Sequence, residues 1–93
     1  MANEVRRNDA QSRYELLVDG ELAGIADFHL DGDAVVLPHT EIDAARRGQG
    51  LGAILVQGVL DDVRHAGRTV VPACWYVAQY LDEHPDQQDL LAA

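Results

Sequence analysis

Two Asp-Gly dipeptides, Asp19-Gly20 and Asp31-Gly32, divide the first half of this chain into three apolar-rich runs, and few folds accommodate that arrangement. Both central positions of a tight hairpin turn favour residues that tolerate positive φ, so Asp-Gly between two such runs is a strong hairpin signal. Residues 13–18, 21–30 and 33–42 are therefore predicted to form three antiparallel strands in sequence order. After Ile42 the apolar spacing lengthens. Leu51, Leu55, Val59 and Val63 lie four apart with Ile54 beside them, which predicts an amphipathic helix of about four turns. Gly67 ends it, because the residue just past a helix often needs the left-handed conformation that glycine adopts without strain. Residues 69–73 form a short β-branched run, predicted as a fourth strand lying parallel to the third after the helical crossover. Residues 75–91 read as one or two short helices interrupted at His84-Pro85, where proline disfavours helical geometry in the residue before it. The predicted class is thus α/β, in the α+β sense: a three-stranded meander, a crossover helix, a parallel fourth strand and short C-terminal helices.

A chain of 93 residues fits one domain with one modest core, since a domain this short buries only roughly 60–65% of its unfolded surface. Residues 13–93 are expected to be that domain, and the polar residues 1–12 a flexible lead-in. Sixteen acidic residues against seven basic ones give a formal net charge of -9. Nucleic-acid binding needs clustered positive charge and is not expected; a cationic partner would be attracted instead. All seven basic residues are arginines, which excludes Schiff-base lysine chemistry and a lysine-dependent P-loop. Ser12 is the sole serine, so no G-x-S-x-G nucleophile turn can be written. Cys74 is the sole cysteine, so no intrachain disulfide, zinc cluster or C-x-x-C pair can form, and no metal site is expected. The absence of a signal-like or membrane-length apolar run leads to a cytoplasmic expectation.

The stretch Arg46-Arg47-Gly48-Gln49-Gly50-Leu51-Gly52 joins the third strand to the long helix. Its glycines leave backbone N–H groups uncovered at a helix N-terminus, where the helix dipole favours negative charge and a pyrophosphate can approach the backbone. Arg46 and Arg47 are adjacent positive charges in an acidic chain. A tight connection that binds nothing is the alternative. A Walker loop and a dinucleotide fingerprint are both excluded by context.

With Arg47, Gly50 and Gly52 at the spacing Arg-x-x-Gly-x-Gly, the chain resembles the GNAT superfamily of acetyltransferases, and more closely a subgroup of minimal GNAT-like domains of around a hundred residues. The strand Leu37-Pro38-His39-Thr40-Glu41-Ile42, the turn Cys74-Trp75-Tyr76-Val77 and a tail from Tyr80 to Leu90 containing His84-Pro85 extend the likeness over about residues 13–91. Trp75 and Gln87 depart from it: the subgroup has a smaller residue or proline at the first position and often an aromatic at the second. The resemblance implies N-acetyltransfer from acetyl-CoA to an amine, with the CoA pyrophosphate on the turn and the pantetheine arm in a V-shaped opening between the third and fourth strands. The implied CoA-binding residues are Ile42, Arg46, Arg47, Gly48, Gln49, Gly50, Leu51, Gly52, Tyr76 and Tyr80.

Within that frame His39 and Glu41, two apart on a strand, are expected to share a face with Val35 and Leu37. They are candidates for the base that accepts the amine proton; a satisfied strand-end pair and part of a metal site are the other readings. Cys74 follows the fourth strand, and three roles stay open for it: donor to the departing thiolate, acyl carrier, or packing residue. Tyr76 and Tyr80 are alternative acids. Trp75 and Gln87 motivate a rival function, a CoA-binding module without turnover, and a plain interaction domain is the third reading.

Overall fold

The computed structural model describes residues 2–92. Its strands are β1 Asn3–Asn8, β2 Arg13–Val18, β3 Glu21–Asp31, β4 Ala34–Ile42 and β5 Thr69–Val71; its helices are α1 Leu51–His65 and α2 Trp75–Glu83, with 3-10 segments at Ala44–Arg46 and Pro85–Leu90. The strands lie side by side in chain order. All neighbours are antiparallel except β4 and β5, which run parallel across the α1 crossover.

The first hairpin forms as expected. Asp19 and Gly20 have φ of 51° and 85°, so both central residues take the positive values that a type I′ turn requires. The second is displaced by one residue: Asp31 pairs with Ala34, leaving Gly32-Asp33 as the loop, with Gly32 at φ 61° in the glycine-first manner of a type II′ turn.

Part of the segment expected to be a flexible lead-in forms a strand. Asn3–Asn8 pairs with β2 along its whole length. It reads as polar because it is an edge strand, where charged side chains discourage further pairing. Arg6 Nε donates to buried Glu15 at 3.0 Å, and Arg13 and Asn8 donate to the same carboxylate at 2.9 and 3.2 Å. Val5 supplies the apolar anchor, lying so close to α1 that a Cβ on Gly58 would sit 2.5 Å from its Cγ2.

Helix α1 buries Leu51, Leu55, Val56, Val59, Leu60 and Val63 against the sheet, each 4% exposed or less. Burial of each such side chain stabilises the fold by about 1.5–3 kcal/mol. Opposite them lie Tyr14, Leu16, Ala26, Val35, Leu37 and Val70 in the same cluster. Gly67, at φ 70°, closes α1: its N–H reaches Arg64 O and the Arg68 N–H reaches Val63 O, the paired bonds of a Schellman cap. A bidentate Arg64–Asp89 ion pair and a Tyr80–Gln57 hydrogen bond fasten the C-terminal segment to α1. Among the described residues no helix is long and apolar enough to cross a membrane.

One irregularity decides how the site is built. Asp27 pairs with His39 but His29 pairs with Val36, so Phe28 faces both Leu37 and Pro38. Proline cannot donate to the ladder and is tolerated at such a bulge. The extra residue reverses which side chains point inward. Val35 and Leu37 are buried, whereas beyond the bulge Thr40 and Ile42, opposite Ala26 and Gly24, take the helix side. His39 and Glu41 therefore do not share the face of Val35 and Leu37, and their side chains are 56% and 60% exposed.

Candidate active site

The parallel ladder between β4 and β5 stops at the pair Val36 and Val71. β4 continues alone to Ile42, while the chain after β5 turns away through Pro72 and Ala73. Cys74 N–H donates to Leu37 O at 2.8 Å, holding the start of α2 against β4 just past the point where the strands part. The resulting cleft has a volume of about 520 Å³. His39, Thr40, Glu41 and Ile42 form one wall, and Cys74, Trp75 and Tyr76 the other. Its end is the turn into α1, with Arg46, Arg47, Gly48, Gly50, Leu51 and Gly52.

The turn has the features of an anion site. Gly48 and Gly50 take φ of 85° and 74°; a Cβ at either would meet nothing within 4 Å, so these glycines serve conformation and leave open space. Gly50 caps α1 without a side-chain hydrogen bond, and no acidic residue occupies the first turn. The first N–H groups of a helix have no partner inside it, so those of α1 face the cleft end undiverted. The two arginines differ. Arg46 reaches Glu21 at 3.1 Å and Asp43 at 3.9 Å, whereas Arg47 is exposed and, among the described residues, makes no ion pair. Arg47 thus presents an exposed guanidinium at the turn, whereas Arg46 is tied back to Glu21.

Gly52 has a different reason from the other two. A Cβ there would lie 2.7 Å from the Tyr76 hydroxyl and 3.0 Å from its Cζ. Its missing side chain makes room for the phenol, which thereby links the α2 side of the cleft to the first turn of α1.

At the other end Cys74 is 9% exposed and caps α2. Burial raises its thiol pKa, but the nearby backbone N–H groups of Tyr76 and Val77, with a contribution from Thr40, favour the thiolate more strongly and leave it below the ordinary value. Thr40 Oγ1 is buried and makes no hydrogen bond of regular geometry; its neighbour on the cleft side is that thiol. His39 Nε2 and Glu41 Oε2 lie 3.7 Å apart on the rim.

The structure thus gathers His39, Glu41, Ile42, Arg46, Arg47, Gly48, Gly50, Leu51, Gly52, Cys74 and Tyr76 around one cleft. Gln49 and Tyr80 do not line it. Tyr80 is buried, its hydroxyl given to Gln57 and its ring stacked on His84 at 3.9 Å. Burial first, then Asp86 and Asp61, push its pKa up, which suits a tie between helices. Thr40 was missed by the sequence reading because the bulge at Leu37 and Pro38 is what turns it inward. Pro38 inside a strand was the available signal.

Residues 13–90 match the family of GCN5-related N-acetyl-transferases. Protein NATD1 of Xenopus tropicalis is 30% identical over 86 residues, covering 92% of this chain and 71% of that protein. Protein NATD1 of Gallus gallus and that of Homo sapiens are each 38% identical over 56 residues, 60% of this chain, and the match spans about half the length of both proteins. A GCN5-like protein from Staphylococcus aureus, solved by NMR, superposes with a TM-score of 0.72 at 16% identity, over 97% of this chain and 88% of its own. The ribosomal-protein-S18-alanine N-acetyltransferase of Escherichia coli gives 0.62 at 23% identity, over 83% of this chain and 52% of its own. The N-acetylglutamate synthase of Neisseria gonorrhoeae, complexed with coenzyme A and N-acetyl-glutamate, gives 0.58 at 14% identity, over 94% of this chain and 26% of its own. The superpositions show a shared fold, and the chain is a member of the GCN5-related N-acetyltransferase (GNAT) family.

Proposed function

We propose that this chain is an N-acetyltransferase that uses acetyl-CoA as donor and an amine as acceptor. The observation that carries the reading is the polarity of this cleft. One end offers the first N–H groups of α1 and an exposed Arg47, which suit a pyrophosphate; the other offers a thiol of lowered pKa beside the Thr40 hydroxyl. The stretch of β4 beyond Val36 has no strand partner on the β5 side, so its backbone groups can bind the amides of a pantetheine arm laid between the two.

In the reaction the amine nitrogen attacks the thioester carbonyl, the carbon–sulfur bond breaks, the amine loses a proton and the CoA sulfur gains one. Glu41, relayed by His39 or by water, takes the amine proton; both groups are accessible on the cleft rim and a carboxylate or imidazole serves this purpose. Cys74 sits at the acyl end, as donor to the departing thiolate or as carrier of the acetyl group. Tyr76, which spans from Cys74 toward Gly52, is the alternative proton donor. A lone thiol with such a role suits a reducing compartment such as the cytoplasm.

The test is stabilisation by CoA. Ligand that binds only the folded chain raises its melting temperature, so CoA at saturating concentration should do so for the wild type. Arg47→Ala changes an exposed side chain and should keep the fold while weakening CoA binding about tenfold, the loss of one charge-assisted phosphate contact. Unchanged melting of the wild type with CoA would overturn the proposal, and unchanged CoA affinity in Arg47→Ala would overturn the anchor.

A further inference from the structure

Trp75 is the chain's sole tryptophan, and it is 74% exposed. A lone exposed apolar residue ordinarily needs no explanation, but this one lines the cleft, one residue after Cys74. The indole meets the Tyr76 ring edge to face, centroids 5.8 Å apart and planes at 87°. An exposed indole with one edge against a second ring leaves apolar ring surface open to a ligand.

The charges around it indicate what that ligand carries. The arginines that line the cleft, Arg46 and Arg47, both belong to the turn at its far end. Glu41, more than half exposed, lines the same cleft. The solvent face of α2 continues from Trp75 to Gln79 and then Asp82, all exposed, so a flexible chain leaving the indole along the helix meets a carboxylate. Positive charge placed over an indole face is attracted by the ring quadrupole, and tryptophan is the best of the side chains for this. The net charge of -9 concentrates such a ligand further.

We infer that Trp75 is the positioning residue for the acceptor, and that the acceptor is an amine bearing a second cationic group, which rests on the indole on the side toward Asp82 while the reacting nitrogen enters beside Cys74 within reach of Glu41. This rests on the acetyltransfer reading above and adds the acceptor's class to it.

The decisive experiment compares 1,4-diaminobutane with n-butylamine, a monoamine of the same length, as acceptors for wild type, Trp75→Phe and Trp75→Ala with acetyl-CoA as donor. Trp75→Ala should raise KM for the diamine by about two- to tenfold, the range of a partly exposed cation–π contact. It should leave kcat and the KM for acetyl-CoA unchanged, and alter n-butylamine little; Trp75→Phe should lie between. An unchanged diamine KM in Trp75→Ala would overturn the inference, as would a raised KM for acetyl-CoA, which would make the indole part of the donor site. Because Trp75 alone supplies indole emission, the same inference is read without turnover. Titration of the wild type with 1,4-diaminobutane should shift or quench its fluorescence at concentrations where n-butylamine does not. If CoA fails to stabilise the protein, the acetyltransfer reading falls by itself, and the fluorescence titration still decides whether Trp75 receives a dication.

Discussion

Replacing Gly52 with alanine tests how the two halves of the cleft are coupled. The added Cβ would approach the Tyr76 hydroxyl to 2.7 Å, Cζ to 3.0 Å and Cε2 to 3.2 Å, so the ring has to move or the first turn of α1 has to shift. Overpacking of this kind costs about 1–3 kcal/mol. Against it stands the higher helix propensity of alanine, worth about 1 kcal/mol at most in a helix interior and less in a first turn. Gly52→Ala should therefore destabilise the wild type by roughly 0–3 kcal/mol, a net range too wide to interpret alone. The informative quantity is the coupling. In a Tyr76→Ala background the clash is gone, and Gly52→Ala should become neutral or slightly stabilising. Urea unfolding midpoints of the four proteins should give a coupling free energy of about 1–3 kcal/mol, well above the ~0.3–0.5 kcal/mol within which independent sites add. Additive effects would refute the claim that Gly52 exists to seat Tyr76.

Three further outcomes follow from the same geometry. Alkylation of Cys74 by iodoacetamide, followed by intact mass across a pH series, should show its inflection below that of an ordinary thiol, because the N–H groups of Tyr76 and Val77 favour the thiolate; Thr40→Val should move the inflection upward. Glu15, held below the usual carboxylate range first by Arg13 and then by Arg6, contributes stability that is present above its unfolded pKa near 4.5 and is lost as pH falls through its lower folded value. Glu15→Gln should destabilise at neutral pH by about 1–2 kcal/mol, the cost of weakened charge-assisted hydrogen bonds, with the gap to wild type closing in acid, as chemical denaturation at several pH values would report. Gly58→Val should detach β1, since even a Cβ at this position would meet Val5 at 2.5–2.9 Å, and backbone amide exchange over Asn3–Asn8 should rise while that of β3 and β4 stays slow.

The parts of this architecture that were legible in the sequence are those set by local rules. Asp19 and Gly20 are both left-handed, as their pairing implied, and Leu51, Leu55, Val59 and Val63 all lie on the buried face of α1. The glycine turn into α1 was visible because Gly48 and Gly50 are placed there for their backbone conformation. What escaped was decided by tertiary contact. β1 carries only Val5 as an apolar anchor, and its pairing depends on Glu15 and Gly58, far away in sequence. The exchange of Thr40 for His39 on the inner face depends on a one-residue bulge opposite Phe28, which period-two counting cannot anticipate. Tyr80 was assigned to the CoA site from resemblance, yet α2 turns it toward Gln57 on α1. The role of Gly52 was likewise hidden, because its neighbour Tyr76 comes from another element.

Native intact-mass spectrometry of the purified chain with acetyl-CoA tests the central claim most directly, because it reports bound donor and covalent acetylation in one spectrum. A one-to-one adduct, weakened in Arg47→Ala, is the predicted result, and an acetyl group mapped to Cys74 would mark it as the acyl carrier. A spectrum of unliganded, unmodified protein at acetyl-CoA concentrations well above the protein's would contradict the account and reduce the turn from Arg46 to Gly52 to a connection between strand and helix.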